Sequence, residues 1–436
     1  MNRSEKDKLN QRTSSRHLWL RFRNGCVAVI RNPVKAVMLA AYLAGVAILW
    51  LDRDSVFPFD SFSMLSTAIN GLLRLLFPLY AIAGLVGVVI LMGTPISSRT
   101  TKANLQRIGL VNHAGEVPAL ISKRKDKANP RVSVWEFDAC GIPLKEWEDK
   151  RQRIEAALNM NIVKMVWGKD KRRVLLYAAT AETELEKTIY WHDKYLSADS
   201  FNLVLGESLL GPVTVDLAKV PHILLGGSTG SGKSVLLKLL LMQAVKKGAL
   251  VCIADFKGGV DFPDVWHRRC RMVFDENSLL GLLSGLVDEL EQRKTIFREA
   301  GYPNLDEYNA ATKAGLKRMI FACDEVAEVL DKTGRGKEDK EIIGQIESKL
   351  SVIARQGRAF GVHLILATQR PDATILAGQI RNNIDCRVCG RADNVLSQII
   401  LDSTAAAEQI PKDAQGRFIT GDGIVFQGYL FDEDSL

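Results

Sequence analysis

Two uncharged apolar runs dominate the first hundred positions, Ala36–Leu51 and Leu75–Met92. Each approaches the roughly 20 apolar residues that a helix needs to cross a bilayer. Lys35, Trp50 and Arg74 stand at their ends, where charged and aromatic side chains favour an interface. Gly93–Asn104, rich in Ser and Thr, reads as a linker. Beyond it the pattern becomes that of a folded domain. Leu144, Trp147, Ile154 and Leu158 recur at helical spacing within Pro143–Met160, and the apolar runs 162–167 and 173–177 flank Gly168-Lys169-Asp170 as in a hairpin. Residues 105–200 are therefore predicted to form a small α/β module.

From about Phe201 onward, strand-like and helix-like segments alternate. Apolar strand runs at 222–225, 249–254, 317–323 and 363–367 are separated by helical stretches at 235–241, 279–300 and 341–357. That alternation predicts an α/β domain with a parallel sheet covered on both faces. The resulting scheme is a basic lead (1–35), two spans with a short external loop (36–92), a linker (93–104), the module (105–200) and a large α/β domain (201–436). The charged stretch Lys332–Glu341 is expected to be solvent-exposed.

Composition adds two constraints. A hydrophobic fraction of 47% with 25% charged residues excludes wholesale disorder. The formal net charge of +8 is concentrated in residues 1–35, which hold nine Lys/Arg against Glu5 and Asp7. Any nucleic-acid contact elsewhere must come from a local patch. Arg99, Lys102 and Arg107 follow the second span, whereas Asp52, Asp54 and Asp60 lie between the two. The positive-inside rule then predicts a multi-pass plasma-membrane protein with both termini cytoplasmic. Two buried core helices are the alternative; a cleaved signal peptide does not fit the long basic lead and the second span. Seven cysteines form no framework. Cys386 and Cys389 fall on a predicted strand, which points them to opposite faces and argues against a zinc site.

The chemistry is concentrated in three stretches. At Gly227-Ser228-Thr229-Gly230-Ser231-Gly232-Lys233-Ser234 an apolar strand enters a glycine-rich turn and a helix former leaves it, which is the P-loop pattern in its required context. Backbone N–H groups of such a turn cradle phosphates, helped by the helix N-terminus. Lys233 would reach the β/γ-phosphates of ATP, and Ser234 would hold Mg²⁺. Asp324 and Glu325 close the third strand, where Asp324 would hold Mg²⁺ and Glu325 would polarise the attacking water. Thr368 and Gln369 end the next strand as candidate γ-phosphate sensors. Arg355, Arg358, Arg381 and Arg387 are candidates for an arginine that completes a neighbouring subunit's site.

Taken together, residues 216–234, Glu289–Arg293, Asn304–Asn309, 324–328, 358–371 and 400–402 closely resemble the FtsK/SpoIIIE DNA-translocase signature. The resemblance covers most of 201–436. It implies a RecA-like motor, a homo-hexameric ring that threads DNA, and ATP bound between subunits, with Arg358 the first choice for the trans-acting arginine and Arg355 the second. No winged-helix module is recognised after the motor, and Gly141–Lys150 is similar to the FtsK-like coupling proteins of Gram-positive conjugative elements (the TcpA/ConQ type). That likeness implies a coupling protein that hands a relaxase–DNA complex to a conjugative secretion channel. A chromosome-segregation translocase, a protein-export ATPase and a non-hydrolysing ATP-gated scaffold are the competing expectations.

Overall fold

The computed structural model describes residues 18–30, 32–57, 64–94, 98–127, 129–198, 201–369, 378–433 and 436. Two compact units divide the chain between Thr183 and Glu184.

The first unit begins with helices. Pro33–Leu51 follows an Asn32 cap whose side chain accepts from the Val34 N–H, and Met64–Met92 is a longer helix carrying Pro78. Both are long and apolar enough to cross a membrane, and almost none of their residues are buried. Outward-facing Ile48, Leu75, Ile82 and Leu91 are costly in water, which speaks against soluble core helices. The two run antiparallel. At one end the Lys35 ammonium donates to the Met92 carbonyl at 2.7 Å; at the other Arg74 pairs with Asp54 at 2.7 Å. The apolar stretch between these polar ends is about 27 Å of helix, close to a bilayer's hydrocarbon thickness.

The predicted linker is partly structured. Residues 95–97 lie outside the described residues, but Ser98–Arg107 is a helix that buries Thr101 and Leu105 on one face. That i, i+4 spacing is what a short amphipathic helix requires. The module is an antiparallel sheet in the order β1-β2-β4-β3, from β1 (Ala119–Lys125), β2 (Val132–Asp138), β3 (Met160–Trp167) and β4 (Arg173–Thr180). The predicted hairpin is β3–β4. The single helix predicted over 143–160 is two, Leu144–Asp149 and Arg151–Leu158, the latter closed by Asn159 in the left-handed conformation. Trp147 and Ile154 are fully buried in the module's core.

Residues 184–198, assigned from the sequence to the module, belong to the second unit. The reason is pairing: β5 (Ile189–Tyr190) adds to β15 (Val425–Leu430), and Trp191 packs edge-on to Tyr429. The large sheet then contains β6 (Asn202–Ser208), β7 (Gly211–Asp216), β8 (Ile223–Gly226), β9 (Leu250–Ala254), β10 (Arg271–Val273), β11 (Met319–Cys323), β12 (Val362–Thr368), β13 (Cys386–Cys389) and β14 (Arg417–Thr420). Their order is β10-β9-β11-β12-β8-β13-β14-β15-β6-β7. From β10 to β13 every pairing is parallel, as the alternation predicted; β14, β15, β6 and β7 extend the sheet antiparallel.

Both faces are covered. Leu224, Phe321, Leu364 and Leu366 point into one core with helices Glu276–Ala300 and Lys337–Phe360. Ile223, Leu225, Ile253 and Ile365 point into the other with helix Lys233–Lys246. Each such side chain contributes about 1.5–3 kcal/mol on burial. Cys386 and Cys389 fall in opposite cores as free thiols, as their strand spacing implied.

Candidate active site

β8 lies between β12 and β13, so its carboxyl end opens within the parallel region. The chain there turns at Gly227–Gly232 and enters helix Lys233–Lys246. Gly230 and Gly232 have φ of 75° and 95°, in the left-handed region that a Cβ disfavours. At Gly232 a Cβ would also stand 3.0 Å from the Gly416 nitrogen. The turn is braced by backbone bonds: the Ser231 N–H donates to Ser228 O, and the Gly416 N–H to Ser231 O.

Parallel register brings the acidic doublet to the same edge. β11 ends beside β12, and Lys233 Nζ donates to the Asp324 carbonyl at 2.6 Å and to Asp324 Oδ1 at 2.7 Å. Ser234 Oγ is 3.0 Å from both Asp324 carboxylate oxygens. Burial opposes ionisation of Asp324, yet the Lys233 charge and the bonds from Lys233 and Ser234 outweigh it and hold the carboxyl below its usual range. Lys257, in the turn after β9, adds a second cation 3.6 Å from Asp324 Oδ2. Its bond to Asp261 is the main reason its pKa is raised, so it stays charged.

Glu325 is gripped by the end of β12. Its Oε1 accepts the Thr368 hydroxyl at 2.7 Å and its Oε2 the Gln369 backbone N–H at 2.9 Å. The Gln369 side chain in turn accepts the Thr229 hydroxyl at 2.8 Å. One continuous chain thus runs from the turn through Gln369 to Glu325. Its members are spread over 140 residues of sequence.

The four arginines lie elsewhere. Arg355 and Arg358 are exposed on the last turns of helix Lys337–Phe360, which leads into the start of β12, while the phosphate turn follows the end of β8. Arg358 reaches the Ala218 carbonyl at 3.4 Å, before β8 begins. Neither is part of this chain's own Lys233 cluster. Arg387 is committed to Asp402 and to the Ile384 and Arg381 carbonyls, and Arg381 Nε is buried.

The sequence reading passed over Arg391. This side chain follows β13 and clamps the turn, donating to Thr229 O and Lys412 O at 2.7 Å each, while its own carbonyl accepts the Ser228 N–H at 2.7 Å. Its position at the carboxyl end of the strand beside β8 was the available signal. Conversely, two blocks that carried the family resemblance are structural. Arg293 is buried and donates to Phe360 O and Lys317 O, and Asp306 pairs with buried Arg318.

A glycine turn between strand and helix, with Lys, Ser, Asp and Glu converging at the carboxyl ends of parallel strands, defines a P-loop nucleotide-binding protein of mixed α/β fold. The FtsK/SpoIIIE family profile matches residues 189–348. The DNA translocase FtsK of Helicobacter pylori strain J99 is 32% identical over 225 residues, 48% of this chain and 25% of that protein. That of Campylobacter jejuni serotype O:23/36 is 29% identical over 297 residues, 64% of this chain and 30% of its own. A solved structure of the pCW3 conjugation coupling protein TcpA, in its monomer form with ATPγS, is 34% identical with a TM-score of 0.58, over 78% of this chain and 97% of that one. The chain belongs to the FtsK/SpoIIIE family. It spans about a quarter of the length of the curated relatives it matches first.

Proposed function

We propose that this chain is a membrane-anchored ATPase that moves DNA, acting as a coupling protein in conjugation. The observation that carries the ATPase reading is the meeting of Lys233, Ser234, Asp324, Glu325 and Gln369 on one edge of the sheet. The turn's N–H groups would bind the phosphates, and Lys233 would exchange the Asp324 carboxylate for phosphate oxygens. Ser234 and Asp324 offer the hydroxyl and carboxylate oxygens that suit Mg²⁺, whose positive charge would offset the negative charge of the β- and γ-phosphates. Glu325 would orient a water and take its proton as the water oxygen bonds to the γ-phosphorus. The bond to the β–γ bridging oxygen breaks, and its electron pair leaves with ADP.

A cytoplasmic placement of both termini is supported by charge: Lys35 marks the end of the helix pair shared with the basic lead, and Asp54 the other. A homo-hexamer with Arg358, or next Arg355, acting on the neighbouring subunit is supported by their exposure away from the Lys233 cluster. DNA as cargo is supported by the FtsK relatives. Delivery of a relaxase–DNA complex to a secretion channel is supported by the match to nearly all of TcpA. The domain scheme proposed with this reading sets a module of residues 98–183 between the membrane helices and the motor.

A chromosome-segregation role is the second reading, favoured by the FtsK name of the curated relatives. DNA-stimulated phosphate release by the purified full chain tests the motor. Transfer frequency of the mobile element with Lys233→Ala tests the coupling role, which fails if transfer is normal.

A further inference from the structure

One carboxylate beside the site has no part in the scheme above. Asp255 directly follows β9, the strand that flanks β11 on the side opposite β12. It is 2% exposed. Its Oδ1 accepts the Lys257 backbone N–H at 3.0 Å, whereas Oδ2 is buried with no hydrogen-bond partner among the described residues. A dry carboxylate oxygen carries a large desolvation penalty, so such atoms in native structures find a donor.

The surroundings limit what that donor can be. Asp255 lines a cavity of about 10 Å³ together with Lys257, Cys323, Asp324, Glu325 and Glu328. A cavity needs roughly 10–15 Å³ of this kind to hold one water, provided it has polar partners. A hydrated cation does not fit such a space, and Lys257 already brings positive charge to it, bonded to Asp261 at 2.7 Å. Water is the occupant that matches both the size and the unpartnered Asp255 Oδ2.

We propose that Asp255 is a positioning residue for hydrolysis, holding one enclosed water that bridges to the Glu325 carboxylate. The sheet order makes the bridge possible. β11 lies between β9 and β12, and its last pairing with β9 is Cys323 to Ala254, so Asp255 follows beside the acidic doublet and lines the same cavity as Glu325. Thr368 and Gln369 hold Glu325 from the β12 side. The water donates one hydrogen to Asp255 Oδ2 and the other to Glu325, and no proton is transferred. Glu325 is thereby aimed from both sides. This rests on the reading of Glu325 as the water-activating group.

Asp255→Leu keeps the branched shape but replaces both carboxylate oxygens with methyl groups, so nothing on the β9 side holds a water against Glu325. The test is steady-state ATP hydrolysis with DNA by the full chain in detergent, beside binding of a fluorescent ATP analogue. The expected result is a fall in kcat of about 10-fold or more, with KM and analogue affinity within about 2-fold of wild type. A purely structural role would lower kcat and affinity together, and that outcome overturns the proposal. So does a variant kcat within about 2-fold of an active wild type. An inactive wild type that still binds the analogue would instead sink the hydrolytic reading of Glu325, and this bridge with it.

Discussion

Lys233 Nζ lies 2.7 Å from Asp324 Oδ1, and both side chains are almost wholly buried. The pair ties the helix after the phosphate turn to the strand that carries the acidic doublet. Removing one partner leaves a buried charge uncompensated. Asp324→Ala is expected to destabilise the motor unit by about 3–5 kcal/mol. Chemical denaturation of the full chain checks this; a loss below about 1 kcal/mol would mean that water reaches the pair freely.

Glu325→Gln should still bind ATP, because the turn and Lys233 are untouched. Hydrolysis should slow by about 10²–10⁴-fold, the usual contribution of a general base. Single-turnover phosphate release gives the rate directly, and turnover near that of the wild type would contradict the assignment.

Arg358→Ala should leave nucleotide affinity unchanged while reducing ATPase activity by about 10³-fold or more, if the arginine acts across a subunit boundary. Mixing this variant with Lys233→Ala subunits should restore part of the activity, since each supplies what the other lacks. No recovery on mixing would count against trans action.

Two buried histidines set a pH dependence. The Leu364 N–H donates to His222 Nδ1 at 2.9 Å, which places the His222 proton on Nε2. His363 Nδ1 is 2.9 Å from Pro221 O and its Nε2 is 3.1 Å from Arg318, so its proton sits on Nδ1. Burial pushes His222 down to about 4, and burial with the Arg318 charge pushes His363 well below its ordinary value. Unfolded chains take up protons near pH 6.5 while the folded form does not, so stability falls as pH drops below that value. His222 alone should cost about 3 kcal/mol by pH 4. Unfolding free energies measured between pH 7 and 4.5 check the slope, which His222→Asn should flatten; an unchanged slope would show that His222 does not set it.

Arg293 offers a control outside the site. Its guanidinium satisfies the carbonyls of Phe360 and Lys317, so Arg293→Met should destabilise by about 2–5 kcal/mol, with nucleotide affinity of the remaining folded protein unchanged. A variant that melts like wild type would show that these carbonyls find other donors.

The glycine turn, its flanking strand and helix, and the acidic doublet were legible because each is a short contiguous stretch with a chemically narrow pattern. The parallel strands were legible for a related reason: a strand buried on both faces is a nearly continuous apolar run. The antiparallel extension was not. β6 (NLVLGES) and β7 (GPVTVD) mix apolar with polar, Gly and Pro positions instead of forming a continuous apolar run, and residues 189–190 look like loop until β15 lies alongside. Arg293 and Asp306 lie in signature blocks, yet Arg293 is a buried brace and Asp306 the ion-pair partner of buried Arg318.

What the linear order of residues determined by itself is therefore local: two apolar helices of membrane length, a phosphate turn, and a metal-suited Asp followed by Glu. What only the tertiary structure decided is which distant groups stand side by side. Arg391 clamps Thr229, Gln369 joins the turn to Glu325, and Asp255 shares a water-sized cavity with Glu325, because neighbouring strands in this sheet come from distant stretches, 140 residues apart for Thr229 and Gln369 and 162 for Thr229 and Arg391. Periodicity reports on a residue's own element; hydrogen bonds across a sheet edge depend on strand order, and that order is a property of the folded chain.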